Sequence, residues 1–376
     1  MTIYTVQSGD SVSSIARNFG VPASQIVLNN ALENPNRLSI GQNLFIYSDT
    51  NKLRAIDVNG YAFPGTPQSV LSLTFPYLTY ISIFSYEVRP NGTLSDISEN
   101  RIIQDAYASN VAPLMVITNI EEGGTFSSEL ASVILNDSGT QQVLLNNILQ
   151  TMREKGYYGL NIDFEYVFPS DRESYNTFVQ RASDLLHENG FFISTALAPK
   201  LSGDQQGLLY EAHDYAFHGR YVDRVILMTY EWGYTYGPAQ AVAPINQVEK
   251  VLQYATSVMP SEKILMGMPN YGYDWTLPFV PGSAAQALSN QQAINLAWNV
   301  NAQIQYDETA QSPFFTYFDS NGAEHIVYFD DVRSIAARLE LVNRYNLAGV
   351  SYWNINTFFK PNWVVLNAMY DVNKVV

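Results

Sequence analysis

GLNIDFEYV, residues 159–167, alternates apolar and polar side chains. Side chains at i, i+2 and i+4 share one face of a strand, so Asn161, Asp163 and Glu165 are expected to point one way and Leu160, Ile162 and Phe164 the other. Carboxylates in so apolar a strand are costly and need a reason to be there. At ~3.3 Å rise per residue, Asp163 and Glu165 lie about 6.6 Å apart along the strand. Two carboxylates that close do not ionise together easily. One is then held protonated and can act as a general acid near neutral pH. Glu165, the outermost, is the natural proton donor. The plainer alternative is a helix-capping or salt-bridged pair at a strand end.

Seven other short apolar runs surround this one: LRAIDVNGY, LTYISIFSY, VAPLMVITN, FFISTALAP, VDRVILMTY, KILMGMPNYG and LAGVSYWNIN. Between them lie amphipathic stretches such as QQVLLNNILQTMREKG, SYNTFVQRASDLLHENG and VRSIAARLELVNRYN. Strands alternating with helices argue for a parallel sheet of βα units. Eight units over ~325 residues suit an α/β fold of the closed (β/α)8 barrel type. An open doubly wound sheet is the alternative, but no Gly-rich phosphate loop follows any of the runs. Residues 276–330 break the rhythm and contain a hairpin turn at Ser320-Asn321-Gly322. They read as an inserted α+β segment before strand eight, able to form one wall of a cleft.

The first 48 residues read as a separate unit. A strand (YTVQ) is followed by a turn (SGD) and by SVSSIARNF, with Val12, Ile15, Ala16 and Phe19 at helical spacing. Gly20 stops that helix, and Pro22 fits the first turn of the next, PASQIVLNN. QNLFIY closes the unit as a strand. SDTNK, residues 48–52, is a polar connector, which leaves residues 49–376 to the barrel.

Formal net charge is -15, and no basic patch of the kind nucleic-acid binding needs is visible. There are no cysteines, so disulfides and thiolate chemistry are excluded. The four histidines are scattered, and the five-residue spacing of His213 and His218 is not that of a helical zinc pair. No metal or cofactor is called for. No run reaches the ~18 apolar residues of a membrane span. The N-terminus MTIYTVQSGDSV lacks the charged and apolar regions of a signal peptide. The expectation is a chain made in the cytoplasm, monomeric, with no nucleic-acid or membrane partner.

Two resemblances sharpen this. YTVQSGDSVSSIARNFGV, LNN and LSIGQNLFI resemble the LysM module. That resemblance implies binding to N-acetylglucosamine-containing glycans through Gly9, Asp10, Ser11 and Val12 and through Asn34, Pro35, Asn36, Arg37 and Leu38. YGLNIDFEY resembles the signature of glycoside hydrolase family 18, DGxDxDxE, with Tyr158 in place of the first Asp and Asn161 in place of the middle one. MTYEW resembles the family's sixth-strand motif, with Met228, Tyr230 and Glu231. GMPNYG resembles its seventh-strand motif, with Asn270 and Tyr271. GVSYW brings Trp353 to the end of strand eight. Tyr61 and Phe84, in the first two runs, complete the candidate substrate-binding set.

The family resemblance implies a substrate-assisted mechanism, in which the sugar's own 2-acetamido oxygen attacks the anomeric carbon. Glu165 would be the acid and base, Asp163 would stabilise the acetamido group, Tyr230 would donate to its oxygen, and Trp353 would floor the pocket. Asn161 cannot exchange a proton here but can donate a hydrogen bond, so it is expected to hold Asp163 and tune its pKa. One LysM module with no signal peptide and no cysteine resembles the spore-cortex-lytic N-acetylglucosaminidases of endospore-forming bacteria. The implied substrate is cortex peptidoglycan and the implied location is the spore coat or cortex. A chitinase, and a catalytically silent glycan-binding protein, are the competing readings.

Overall fold

The structure is a computed structural model that describes residues 1–48, 51–121 and 123–376. Residues 49 and 50 of the connector SDTNK lie outside the described residues.

At the N-terminus, β1 (Thr2–Thr5) and β2 (Asn43–Tyr47) pair antiparallel around two helices, α1 (Val12–Phe19) and α2 (Ala23–Asn29). Ser11 and Ser14 form a capping box on α1, and Gly20 ends it in the left-handed conformation. Pro22 sits one residue before α2 rather than inside its first turn. Val12, Ile15, Ala16, Ile26, Leu44 and Ile46 make the unit's own small core.

Strand β2 also faces outward. Leu44 and Ile46 point into the small core, whereas Phe45 between them packs into the main core of the molecule. Asn43 Nδ2 donates to Asp331 Oδ2 at 2.7 Å, and Ile304 N–H donates to Ile40 O at 2.9 Å. A Cβ on Gly41 would stand 1.8 Å from Ile304 O, so only glycine allows that approach. The N-terminal unit is therefore docked on the rest of the chain through a buried strand face.

The barrel strands are β3 (Arg54–Ala62), β4 (Tyr80–Glu87), β5 (Ala112–Thr118), β6 (Gly159–Asp163), β7 (Phe192–Leu197), β8 (Arg224–Leu227) and β9 (Ile264–Pro269). A second sheet comes next in the chain. It comprises β10 (Tyr271–Leu277), β11 (Gln286–Ser289), β12 (Gln305–Asp307), β13 (Ser312–Phe318) and β14 (Glu324–Tyr328), with helix Asn290–Asn299 between β11 and β12. The chain then returns as β15 (Gly349–Trp353), which pairs in parallel with both β9 and β3 and closes an eight-stranded parallel barrel. A Cβ on Gly349 would lie 1.8 Å from Asp57 O across the closing seam. The expected (β/α)8 architecture is the one found.

Its helices form where the sequence has caps and an apolar stripe. Helix Ser138–Lys155 opens on Asp137, whose side chain accepts from Thr140 N–H, and ends at left-handed Gly156. It buries Leu144, Leu145, Ile148 and Met152 against the barrel, and such side chains stabilise by about 1.5–3 kcal/mol each.

The second sheet is antiparallel in the order β11-β10-β14-β13-β12 and has its own core around Ala293, Phe315, Val327 and Phe329. The hairpin at Ser320–Gly322 is present, closed by Asp319 N–H to Ala323 O. The segment begins at Tyr271, not at residue 276. The run KILMGMPNYG hides the boundary because apolar and aromatic residues continue across Asn270 from β9 into β10.

Candidate active site

Strand β6 ends at Asp163, so Glu165 lies just beyond it in a turn where Tyr166 has φ 54°. Leu160, Ile162 and Phe164 face the surrounding helices as expected, and Phe164 stacks on Tyr175 and Phe178 of helix Arg172–Glu188. The turn is pinned by side chains from three other segments. Asn119, one residue past β5, accepts from Glu165 N–H at 2.9 Å and donates to Glu165 O at 2.8 Å. His213 Nδ1 accepts from Ala198 N–H, so its Nε2–H donates to Phe164 O at 3.0 Å. Burial lowers the His213 pKa to about 4, which keeps the ring neutral and this tautomer in place. Ser128 donates to Tyr166 O.

The cavity above these groups has a volume of about 750 Å³. Asp163, Glu165, Tyr230, Met228, Glu231, Tyr61, Phe84 and Trp353 all line it. The sequence reading missed much of its wall: Phe63, Phe126, Tyr166, Tyr210, Trp232 and Tyr234. Phe63 shares the phase of Tyr61, two residues on, and was findable. The others sit on loops, where no periodicity marks them. Phe63, Tyr166 and Tyr234 expose about two-fifths of their surface (37%, 41% and 42%) toward the opening. Aromatic faces left open in this way mark a binding surface rather than a core. Trp353 is packed edge-on by Tyr61 at 5.4 Å and Phe84 at 5.0 Å, which fixes its ring plane.

A smaller lobe of about 350 Å³ adjoins the cavity and shares Glu231 and Trp353 with it. Tyr271, Tyr273, Leu288, Ser289 and Gln292 of the inserted segment line this lobe, so that segment does form a cleft wall. Tyr271 and Tyr273 both donate to the Glu231 carboxylate. Asn270 also lines the lobe, but its amide hydrogens are engaged by Asn354 O and Thr357 O, each at 3.0 Å. It holds the exit from strand eight rather than offering donors to a ligand.

Electrostatics separate the carboxyl groups. Burial raises the Asp163 pKa to about 7. Glu165 is raised well above the usual carboxylate range, first by burial and then by the charges of Asp163 and Glu231. Asp163 Oδ1 is buried and has no hydrogen-bond partner among the described residues. Burial also raises the pKa of Tyr230, so its phenol stays a donor across the ordinary pH range.

Asn161 is placed differently from the expectation. It is fully buried beneath the cavity, where it accepts from Tyr61 OH at 2.8 Å and donates to Ser194 Oγ at 2.9 Å. It makes no bond to Asp163, because its amide donates sideways to Ser194, its register partner on the adjacent strand β7, and its oxygen is taken by Tyr61 of β3. Of the first LysM loop, Val12 is buried in the small core, and Asp10 accepts from Tyr4 OH and Gln7 N–H within its own turn. Gly9 and Ser11 are exposed, as are Asn34, Pro35, Asn36 and Arg37, while Leu38 is half-buried. No group of three potential metal ligands occurs among the described residues.

A protonated carboxyl beside a second carboxyl, in an aromatic-walled cleft at the C-terminal face of a barrel, is the equipment for cleaving bonds between sugars. Fold and site together define a glycosidase. The chain belongs to the glycosyl hydrolases family 18, whose model matches residues 66–357, and it carries a LysM domain matched over residues 4–46. It is 45% identical to the cortical fragment-lytic enzyme of Bacillus subtilis, over 100% of this chain and 99% of that one. The crystal structure of the Bacillus megaterium spore cortex-lytic enzyme SleL superposes with TM-score 0.93 at 36% identity, covering 100% of this chain and 99% of that chain. A chitinase from Chromobacterium violaceum has the same barrel fold, with TM-score 0.78 at 24% identity over 84% of this chain and 98% of that chain.

Two expected results follow from the supporting contacts. Asn119→Ala removes both backbone bonds that fix Glu165. It should lower unfolding free energy by about 1–3 kcal/mol, the cost of leaving buried polar groups unpaired. Misplacement of the carboxyl should also cut kcat by about tenfold to a hundredfold. Denaturant midpoints and steady-state rates check this, and a wild-type kcat would remove Asn119 from the positioning role. Asn161→Asp would add a buried acid beneath Asp163, and its like charge should raise Asp163 further and move the pH–rate profile upward. An unmoved profile would show that the position is electrostatically silent.

Proposed function

We propose that this chain hydrolyses β-1,4 bonds at N-acetylglucosamine in the peptidoglycan of the spore cortex. The observation that carries the reading is the Asp163–Glu165 pair, with one buried carboxyl oxygen unpartnered among the described residues beside a protonated acid in an aromatic-walled cleft. The full-length similarity to cortex-lytic proteins supports peptidoglycan as the polymer.

In this reading the 2-acetamido oxygen of the bound sugar forms a bond to the anomeric carbon as the glycosidic C–O bond breaks. Glu165 gives its proton to the departing oxygen. Asp163 accepts the acetamido N–H through its free oxygen, and Tyr230 donates to the acetamido oxygen. Trp353 lies under the sugar ring. Glu165, now ionised, takes a proton from water, the resulting hydroxide equivalent opens the oxazolinium ring, and configuration is retained. Residues 1–48 would hold the glycan and residues 49–376 would cut it, acting as a monomer at the cortex.

Chitin is the competing polymer, since it presents the same acetamido group. The test is mass spectrometry of digests of cortex fragments and of chitin oligomers. New N-acetylglucosamine reducing ends in the cortex digest are expected. Chitin cleaved while cortex fragments stay intact would overturn the assignment.

A further inference from the structure

A third cavity, of about 120 Å³, lies between the second LysM loop and the inserted helix Asn290–Asn299. Glu33, Asn34 and Arg37 line it from one side, and Gln291, Asn295 and Trp298 from the other. The three helical residues are spaced i, i+4 and i+7, so they form one stripe facing the loop. We propose that this junction is a distal subsite for the same glycan strand that enters the cleft. The inference rests on the cleft being a glycan site, as proposed above.

The chemistry suits an amino sugar. Trp298 stands at the junction with 37% of its surface exposed, an apolar face on which a sugar ring can stack. Gln291 and Asn295 offer amide donors and acceptors for hydroxyl and acetamido groups. The Arg37 guanidinium is exposed and makes no ion pair among the described residues, although Glu33 lines the same cavity. The Arg37 cation can meet a carboxylate of the short peptide stems that the lactyl groups of peptidoglycan carry and that chitin lacks.

Continuity joins the two places. Gln292 and Ser289 line the smaller lobe of the cleft, and the adjacent residue Gln291 lines the junction. The two cavities therefore flank the first turn of one helix, which a strand leaving the lobe would have to cross to reach the LysM loop. The loop is also held in register, because Phe45, the Asn43–Asp331 bond and the Ile304–Ile40 bond fix the N-terminal unit on the catalytic body. The LysM unit thus extends the cleft instead of acting as a tethered anchor.

The test uses the full chain carrying Glu165→Gln and calorimetric titration with peptidoglycan glycan fragments of two lengths, tetrasaccharides and long strands. Adding Trp298→Ala should raise Kd for long strands by about fivefold to tenfold, the scale of one lost aromatic contact. The ratio of long-strand to tetrasaccharide affinity should fall by the same factor. Trp298→Phe, which keeps a ring, should restore most of it. Arg37→Ala should weaken long peptidoglycan strands more than chitin oligomers of equal length. An unchanged ratio, or equal weakening at both lengths, overturns the subsite. The hydrolytic reading fails separately: wild-type protein would then release no reducing ends, whatever the length dependence of binding.

Discussion

Glu165→Gln is expected to lower kcat by about a thousandfold or more, within the range that removal of a general acid and base produces. Gln has nearly the same size and cannot deliver a proton to the leaving oxygen. The turn that carries residue 165 is fixed through backbone atoms, by Asn119 and His213, so the substitution leaves the site's shape intact. Glycan affinity should therefore stay within a few-fold of wild type, and calorimetry with cortex fragments measures it. Retention of a tenth or more of the wild-type rate would move the acid role elsewhere. Glu231 would then be the next carboxyl to test, since it faces the same cavity.

Asp163→Asn should cost about a hundredfold in kcat, because an amide in place of the free carboxyl oxygen no longer stabilises the positive charge that develops on the acetamido group. Two pH effects should accompany the loss. The Asp163 charge helps to raise Glu165, so without it Glu165 releases its proton at lower pH. The alkaline limb of the pH–rate profile should move downward accordingly.

The second effect is on stability. The Asp163 pKa is raised in the folded state to about 7 from an ordinary value of 3.8. Between those values the folded chain holds a proton that the unfolded chain has released, so wild-type stability declines as pH rises from about 4 to 7. Asp163→Asn removes that contribution and should flatten the decline, while the part of the Glu165 contribution that comes from its burial remains. Thermal melts across this pH range decide it. A variant that melts with the wild-type pH dependence would mean that Asp163 is not buried against its charge. A variant less active yet more stable near neutral pH is the combined signature expected of a residue kept for function at a cost in stability.

The alternation in GLNIDFEYV was enough to assign the inner and outer faces of β6, since side-chain direction along a strand has period two whatever surrounds it. Asp163 on the cavity side and Phe164 against the helices are both found there. Eight such runs separated by amphipathic helices pointed to the barrel, because that number of βα units suits closure, and β15 pairing with both β9 and β3 closes it. The Ser320–Gly322 hairpin and the stop at Gly20 were equally local and equally legible.

Other features depended on pairs far apart in the chain. Glu165 is held not by its strand but by Asn119, 46 residues away, and its neighbour Phe164 by His213, 49 residues away. Neither partner has a pattern that announces the role, since a lone Asn or His reads the same wherever it stands. Asn161 was expected to hold Asp163, yet β6–β7 pairing sets Ser194 beside it and barrel closure brings Tyr61 across to it, and its amide is directed to them. Asn270, inside a sequence motif, is drawn to the carbonyls of the strand-eight exit for the same reason.

The LysM unit divides along the same line. Its fold was written in 48 residues of local pattern, but its docking through Phe45 and Asn43 was not, because an apolar residue on the outer face of an edge strand does not name what covers it. By itself the sequence determined the barrel, the N-terminal strand-helix-helix-strand unit and the carboxyl pair, all products of local periodicity and composition. Only the tertiary structure decided how the acid is aimed, which amides are already engaged and where the second LysM loop stands relative to the cleft. Those depend on hydrogen bonds and packing between segments that meet only after the barrel has closed.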